Sequence, residues 1–105
     1  MDEHGLVLIT CGEEAEASHI ARLLVEGSLA AGVQILRINS VYVWEGAVVE
    51  DSEWLLIAKT RADRFQSIQT LVEDNHSYQV PPVVMIGIDA ATRPYLSWID
   101  SVVRT

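Results

Sequence analysis

The chain has little cysteine, little proline and little positive charge, and each shortage excludes something. Its one cysteine, Cys11, has no partner for an internal disulfide, so the fold must stand on its apolar core, and a reducing compartment suits it. Seven Lys and Arg against fifteen Asp and Glu leave a formal net charge of −8. A nucleic-acid binder needs a basic footprint to displace counterions, and none is present. Anionic membranes are disfavoured on the same ground. An acidic surface suits cations, although its commoner consequence is solubility. No apolar run approaches the roughly 20 residues of a membrane span. The opening "MDEHGLVLIT" is acidic and turns directly into a strand-like run, without the basic and apolar regions of a signal peptide, which sets the expectation of a cytoplasmic protein. There is no Gly-rich phosphate loop, no supported Ser-His-Asp order and no zinc spacing, so no enzyme is expected.

What is present is apolar and periodic. Half of the 105 residues are apolar, enough for one domain over residues 1–105. "LVLIT" (Leu6 to Thr10) reads as a buried strand. Ala17, Ile20, Ala21 and Leu24 then recur at helical spacing. Glu13, Glu14 and Glu16 crowd the first turn, where the helix dipole favours negative charge. Gly27 is the expected stop, through the left-handed conformation open to glycine.

The longest apolar stretch is "SVYVWEGAVVEDSEWLLIAKT", Ser40 to Thr60. It reads as a hairpin with its pivot at Gly46 or at "EDS". Leu36, Ile38, Tyr42 and Trp44 share one parity, and Ile35, Val41 and Val43 the other. Arg37, Asn39 and Ser40 interrupt the pattern, which suggests a bulge or bend. Thr60 and Asp63 suggest a capping box for a second helix carrying Phe65, Ile68, Leu71 and Val72 and ending near Asn75. "HSYQVPP" is a loop, "VVMIGID" a last buried strand, and "TRPYLSWIDSVV" a closing helix with Tyr95, Trp98, Ile99 and Val102 on one face.

The order strand, helix, strand, strand, helix, strand, helix is the split pattern of an α+β ferredoxin-like sandwich (βαββαβ plus a C-terminal helix) with a long central hairpin. Right-handed crossovers place the first and third strands in the middle. Both main helices then cover one sheet face, while the strands are apolar on both parities. A homo-oligomer packing sheet against sheet resolves this, with the hairpin reaching a neighbouring copy.

"LVEGSLAAGVQI", "SVYVWEG", "EDSEWLLIAKT", "HSYQVPPVV" and "YLSWI", in this order and spacing, resemble the CutA family of divalent-cation tolerance proteins over nearly the whole chain. The resemblance implies a homotrimer of ferredoxin-like subunits, similar to PII signalling proteins, with a role in tolerance to copper and other divalent metals and no established reaction. Metal-binding members can carry a cysteine ending the first strand and a His-His pair before the tyrosine. This chain has Thr10 at the former position with Cys11 one residue later, Asn75-His76 at the latter, and Ser77 for the usual proline; Gly32 stands where some members have a cysteine. One residue along a strand reverses the side chain, so His76 alone matches by position.

Copper or another divalent cation is therefore the ion to consider, with His76 and Cys11 as candidate ligands because soft metals prefer imidazole and thiolate. The competing roles are a small core residue for Cys11 and a helix-closing residue, partly exposed, for His76. His4 and His19 read as surface residues, and Glu50, Asp51 and Glu53 as a solvated turn without calcium-loop spacing. Tyr42, Trp44 and Trp54 suit an oligomer interface better than a stacked ligand. Lys59 ends an apolar strand, where an ammonium needs a partner. A second reading is a PII-like signalling or scaffold trimer holding a small metabolite or a partner's tail in inter-subunit clefts lined by Trp44, Glu53, Lys59, His76 and Tyr78.

Overall fold

The structure, a computed structural model, describes residues 3–104. Its elements are β1 (His4–Cys11), α1 (Glu14–Glu26), β2 (Gly32–Trp44), β3 (Ala47–Arg61), a 3-10 turn (Ala62–Arg64), α2 (Phe65–Asn75), β4 (Val83–Gly87) and α3 (Arg93–Val102). The four-stranded sheet runs β2-β3-β1-β4 with antiparallel neighbours. The first and third strands are central, which is the ferredoxin-like arrangement.

Strand alternation decides which side chains go inward. Val7, Ile9 and Cys11 of β1 share a face with Leu56 and Ala58 of β3. On this face they are sealed by Ala17, Ile20 and Leu24 of α1 and by Ile68 and Val72 of α2. Leu6, Leu8, Leu36, Leu55, Ile57, Val84 and Ile86 point to the other face. There Leu36, Val84 and Ile86 are 43%, 53% and 51% exposed, so the last strand is not buried as its composition suggests. Of the described helices, α3 is the one that approaches that side. The Trp98 indole lies over Gly32, and His4 and Arg61 both bind the Asp100 carboxylate, at 2.8 and 3.2 Å. His4 is thereby buried rather than on the surface.

The hairpin is long because nothing stops it. β2 and β3 keep one register from Gly32↔Lys59 to Trp44↔Ala47, so Arg37, Asn39 and Ser40 make no bulge. Pairing with β3 uses only backbone groups, and the polar side chains can remain on the exposed surfaces. β1 reaches no further than Trp54 of β3, leaving Ile38–Trp44 and Ala47–Glu53 paired only with each other. This arm accounts for the 44 Å long axis of the molecule. The turn is Glu45-Gly46, with φ of 50° and 81°. Positive φ at both central residues matches the right-handed strand twist.

Two terminal signals resolve differently from their sequence patterns. Gly27 has φ −81°, and the left-handed residue is Ser28, φ 60°. The Leu29 and Ser28 N–H groups donate to Leu24 and Val25, a Schellman closure with serine in the usual glycine place. Thr60 does not cap α2: it lies within β3, fully buried, donating to the Leu29 carbonyl at 2.6 Å. Asp63 instead binds Arg61.

Candidate functional site

The end of β1, the start of α1 and the loop after α2 converge. Cys11 points to the helix-covered face, fully buried. Glu16 lies in the first turn of α1. His76 closes α2; the residue is partly exposed through its backbone, while its imidazole is 0% exposed. Ligand-capable atoms of Cys11, Glu16 and His76 lie within 4.8 Å of one another. Thr10, next to Cys11, points to the other face, as strand alternation requires. The third member, Glu16, was missed by sequence reasoning; its acidic first turn was explained by the helix dipole, and the only further signal was its proximity in the fold.

The donors are already engaged. The His76 Nε2–H donates to the Thr10 carbonyl at 2.7 Å, and Nδ1 accepts the Tyr78 N–H at 3.0 Å. The Glu16 carboxylate accepts the Ser77 N–H at 2.7 Å and hydroxyl at 3.1 Å. Burial, then the Glu16 and Glu53 charges, pushes the Cys11 thiol up to about 12, so it carries its proton at neutral pH. Thiol, imidazole and carboxylate are chemically suited to copper or zinc. An ion would have to displace the thiol proton and the Tyr78 N–H before those atoms could ligate it.

Tyr78 links this cluster to the opposite side of the sheet. Its ring tilts against His76, centroids 4.8 Å apart, and crosses Gly12, where a Cβ would meet the phenol oxygen at 2.8 Å. The hydroxyl then donates to Glu53 at 2.6 Å. Burial and this hydrogen bond hold the phenol well above its usual range. Glu53 is 5% exposed and is a strand residue, not part of a solvated turn. Tyr42, on the same face of β2, donates to Asp51 at 2.7 Å.

These side chains line a cleft of about 770 Å³ between the projecting hairpin and the loop around Tyr78, with Trp44 at its outer end. Trp44, Glu53 and Tyr78 are thus brought together, joined by Tyr42. Lys59 is elsewhere: it donates to Gln34, and desolvation lowers its pKa. Trp54 faces the helix side, opposite Cys11, packed against the core.

Among the described residues, no helix is long and apolar enough to cross a membrane. The family described as CutA1 divalent ion tolerance protein matches residues 5–102. The chain is 37% identical to the divalent-cation tolerance protein CutA of Archaeoglobus fulgidus, covering 96% of this chain and 99% of that one. It is 43% identical to the Thermus thermophilus protein of the same name, covering 90% and 92%. The Archaeoglobus structure, described as a periplasmic divalent cation tolerance protein, superposes with a TM-score of 0.94 over 96% of this chain and 99% of that one. A family match across almost the whole chain, relatives of nearly equal length and a common fold lead to one conclusion: the chain belongs to the CutA family of divalent-ion tolerance proteins.

Proposed function

We propose that this protein contributes to divalent-cation tolerance as a homotrimer in the cytoplasm, binding copper or another divalent ion weakly and reversibly rather than catalysing a reaction. The observation that carries the ion-binding part is the convergence of Cys11, Glu16 and His76 within 4.8 Å. The metal is cargo in this reading. The hydrogen bonds already made by His76 and Glu16 and the protonated thiol of Cys11 favour weak uptake, since each lost bond subtracts from the binding energy. The trimer is supported by the uncovered apolar sheet face and by the arm that overruns β1.

Calorimetry with copper(II) and zinc(II) on the wild type, His76→Ala, Glu16→Gln and Cys11→Ser tests the reading. Copper(II) should bind more tightly than zinc(II) by the general affinity order, and His76→Ala should weaken it by about ten-fold. Equal heats in all four proteins would remove the site. Binding well below micromolar that Cys11→Ser alone abolishes would show an open thiolate centre instead of a closed one.

A second reading, a PII-like signalling or scaffold trimer with ligand-holding clefts, is favoured by one observation. The cleft beside Tyr78 and Glu53 lies in the size range of small-molecule sites, about 300–1,000 Å³.

A further inference from the structure

We propose that Ser77 and Tyr78 form a built-in competitor of the ion, two consecutive residues that set its affinity by holding the ligand atoms it would need. The inference rests on the ion-binding reading above and names the regulation of that same site.

The His76 Nε2–H donates to the Thr10 carbonyl at 2.7 Å. This bond fixes the tautomer and leaves Nδ1 as the ring atom able to ligate. Nδ1 accepts the Tyr78 N–H at 3.0 Å. A neutral ring nitrogen offers a single lone pair, so the amide and an ion exclude each other. A carboxylate oxygen has room for two partners, and what matters there is which oxygen is covered. Glu16 Oε2 lies 3.8 Å from His76 Nδ1, a span that suits an ion with bonds of about 2 Å to each atom. The Ser77 hydroxyl donates to this same oxygen at 3.1 Å, while the Ser77 N–H holds Oε1 at 2.7 Å. Both of the facing ligand atoms are therefore covered, one by each residue of the pair.

The far end of Tyr78 holds the pair in place. Its ring packs over Gly12, where a Cβ would meet the phenol oxygen at 2.8 Å, and its hydroxyl donates to Glu53 at 2.6 Å. With ring and hydroxyl both seated, the amide leaves Nδ1 only at the expense of those contacts. By linkage, weakening this anchor favours ion uptake, and uptake weakens the anchor.

The competing bonds all form within one chain. Cys11 points to the helix-covered face, and the His76 imidazole is already 0% exposed there. The bare face assigned to packing between copies is the opposite one, so assembly leaves the competition at Nδ1 and Oε2 in place.

The test is zinc(II) calorimetry on wild type, Ser77→Ala, Tyr78→Phe and His76→Ala, each checked for native circular dichroism. Amide hydrogen exchange of the wild type is followed by nuclear magnetic resonance with and without zinc. Residues that merely support the loop would lose binding when truncated, whereas a competitor gains it. Ser77→Ala and Tyr78→Phe should each bind zinc about three- to ten-fold more tightly, the equivalent of one hydrogen bond no longer broken on uptake. Ser77 is exposed, so Ser77→Ala should fold even if Tyr78→Phe does not. Bound zinc stabilises the fold and slows exchange of core amides, yet the Tyr78 amide should exchange faster once driven off Nδ1. A Tyr78 amide equally protected at saturating zinc would overturn the competitor and leave the ion site standing. So would a Ser77→Ala protein that binds no more tightly than a wild type which His76→Ala weakens. No zinc binding by any of the four proteins, or binding that His76→Ala leaves unchanged, would overturn both.

Discussion

The hydroxyl of Tyr78 donates to the carboxylate of Glu53 at 2.6 Å, across a glycine that leaves no room for a Cβ. Twenty-five residues apart in sequence, the two join the loop after α2 to the arm of the hairpin. Tyr78→Phe removes the only protein donor seen on a nearly buried carboxylate. It should lower stability by about 1.5–3 kcal/mol in urea unfolding, while Glu53→Gln, which can still accept the hydroxyl, should lower it less. Equal stability of Tyr78→Phe and wild type would mean that water satisfies Glu53 as well.

Thr60 donates to the Leu29 carbonyl from a fully buried position. Thr60→Val keeps the shape and leaves that carbonyl without its donor. A loss of about 1–3 kcal/mol is expected, and a capping role would predict instead a change confined to the helicity of α2. Chemical denaturation together with far-ultraviolet circular dichroism separates the two.

Cys11 is fully buried, and its thiol is raised from 9.0 to about 12. Native protein at pH 8 should resist iodoacetamide, and modification should proceed at the rate of opening of the structure. The same shift makes stability fall as pH rises. Above pH 9 the unfolded chain has lost the thiol proton that the folded chain keeps until about 12, so the folded state binds more protons and is penalised. Tyr78, also shifted upward, adds to the loss with the same sign. A urea midpoint unchanged from pH 8 to 11 would contradict both shifts.

The bare sheet face should be an interface. Sedimentation at micromolar concentration should show a trimer, burying on the order of 2,000 Å² or more. Leu36→Asp, which puts a charge on an exposed apolar position of that face, should yield smaller species. Trp44→Ala should weaken assembly more than the local fold, because aromatic anchors carry a disproportionate share of association energy. A stable, well-folded wild-type monomer would sink the trimer.

The hairpin turn offers a gain. Glu45 holds φ 50° and Gly46 φ 81°, and asparagine tolerates the first far better than glutamate. Glu45→Asn should stabilise by on the order of 0.5 kcal/mol and Gly46→Val should cost about 1 kcal/mol or more, both read from thermal melts.

The amino-acid sequence by itself determined the element order, because apolar periodicities of 3.6 and 2 are local and survive any tertiary arrangement. The two-sided strands and the split βαβ pattern determined the sheet order and its bare face by the same logic. The arm was legible only in its length. Its unbroken register was not, since the polar residues Arg37, Asn39 and Ser40 look the same at a bulge and on an exposed ladder. Helix stops were read from residue type, and Ser28 shows that a left-handed cap is set by backbone hydrogen bonds as well. The candidate sites depended most on tertiary structure. Cys11, Glu16 and His76 come from three separate elements, and Glu53 looked like a solvated acid until Tyr78 was folded over it. Burial and convergence are properties of the packed chain, and no window of sequence contains them.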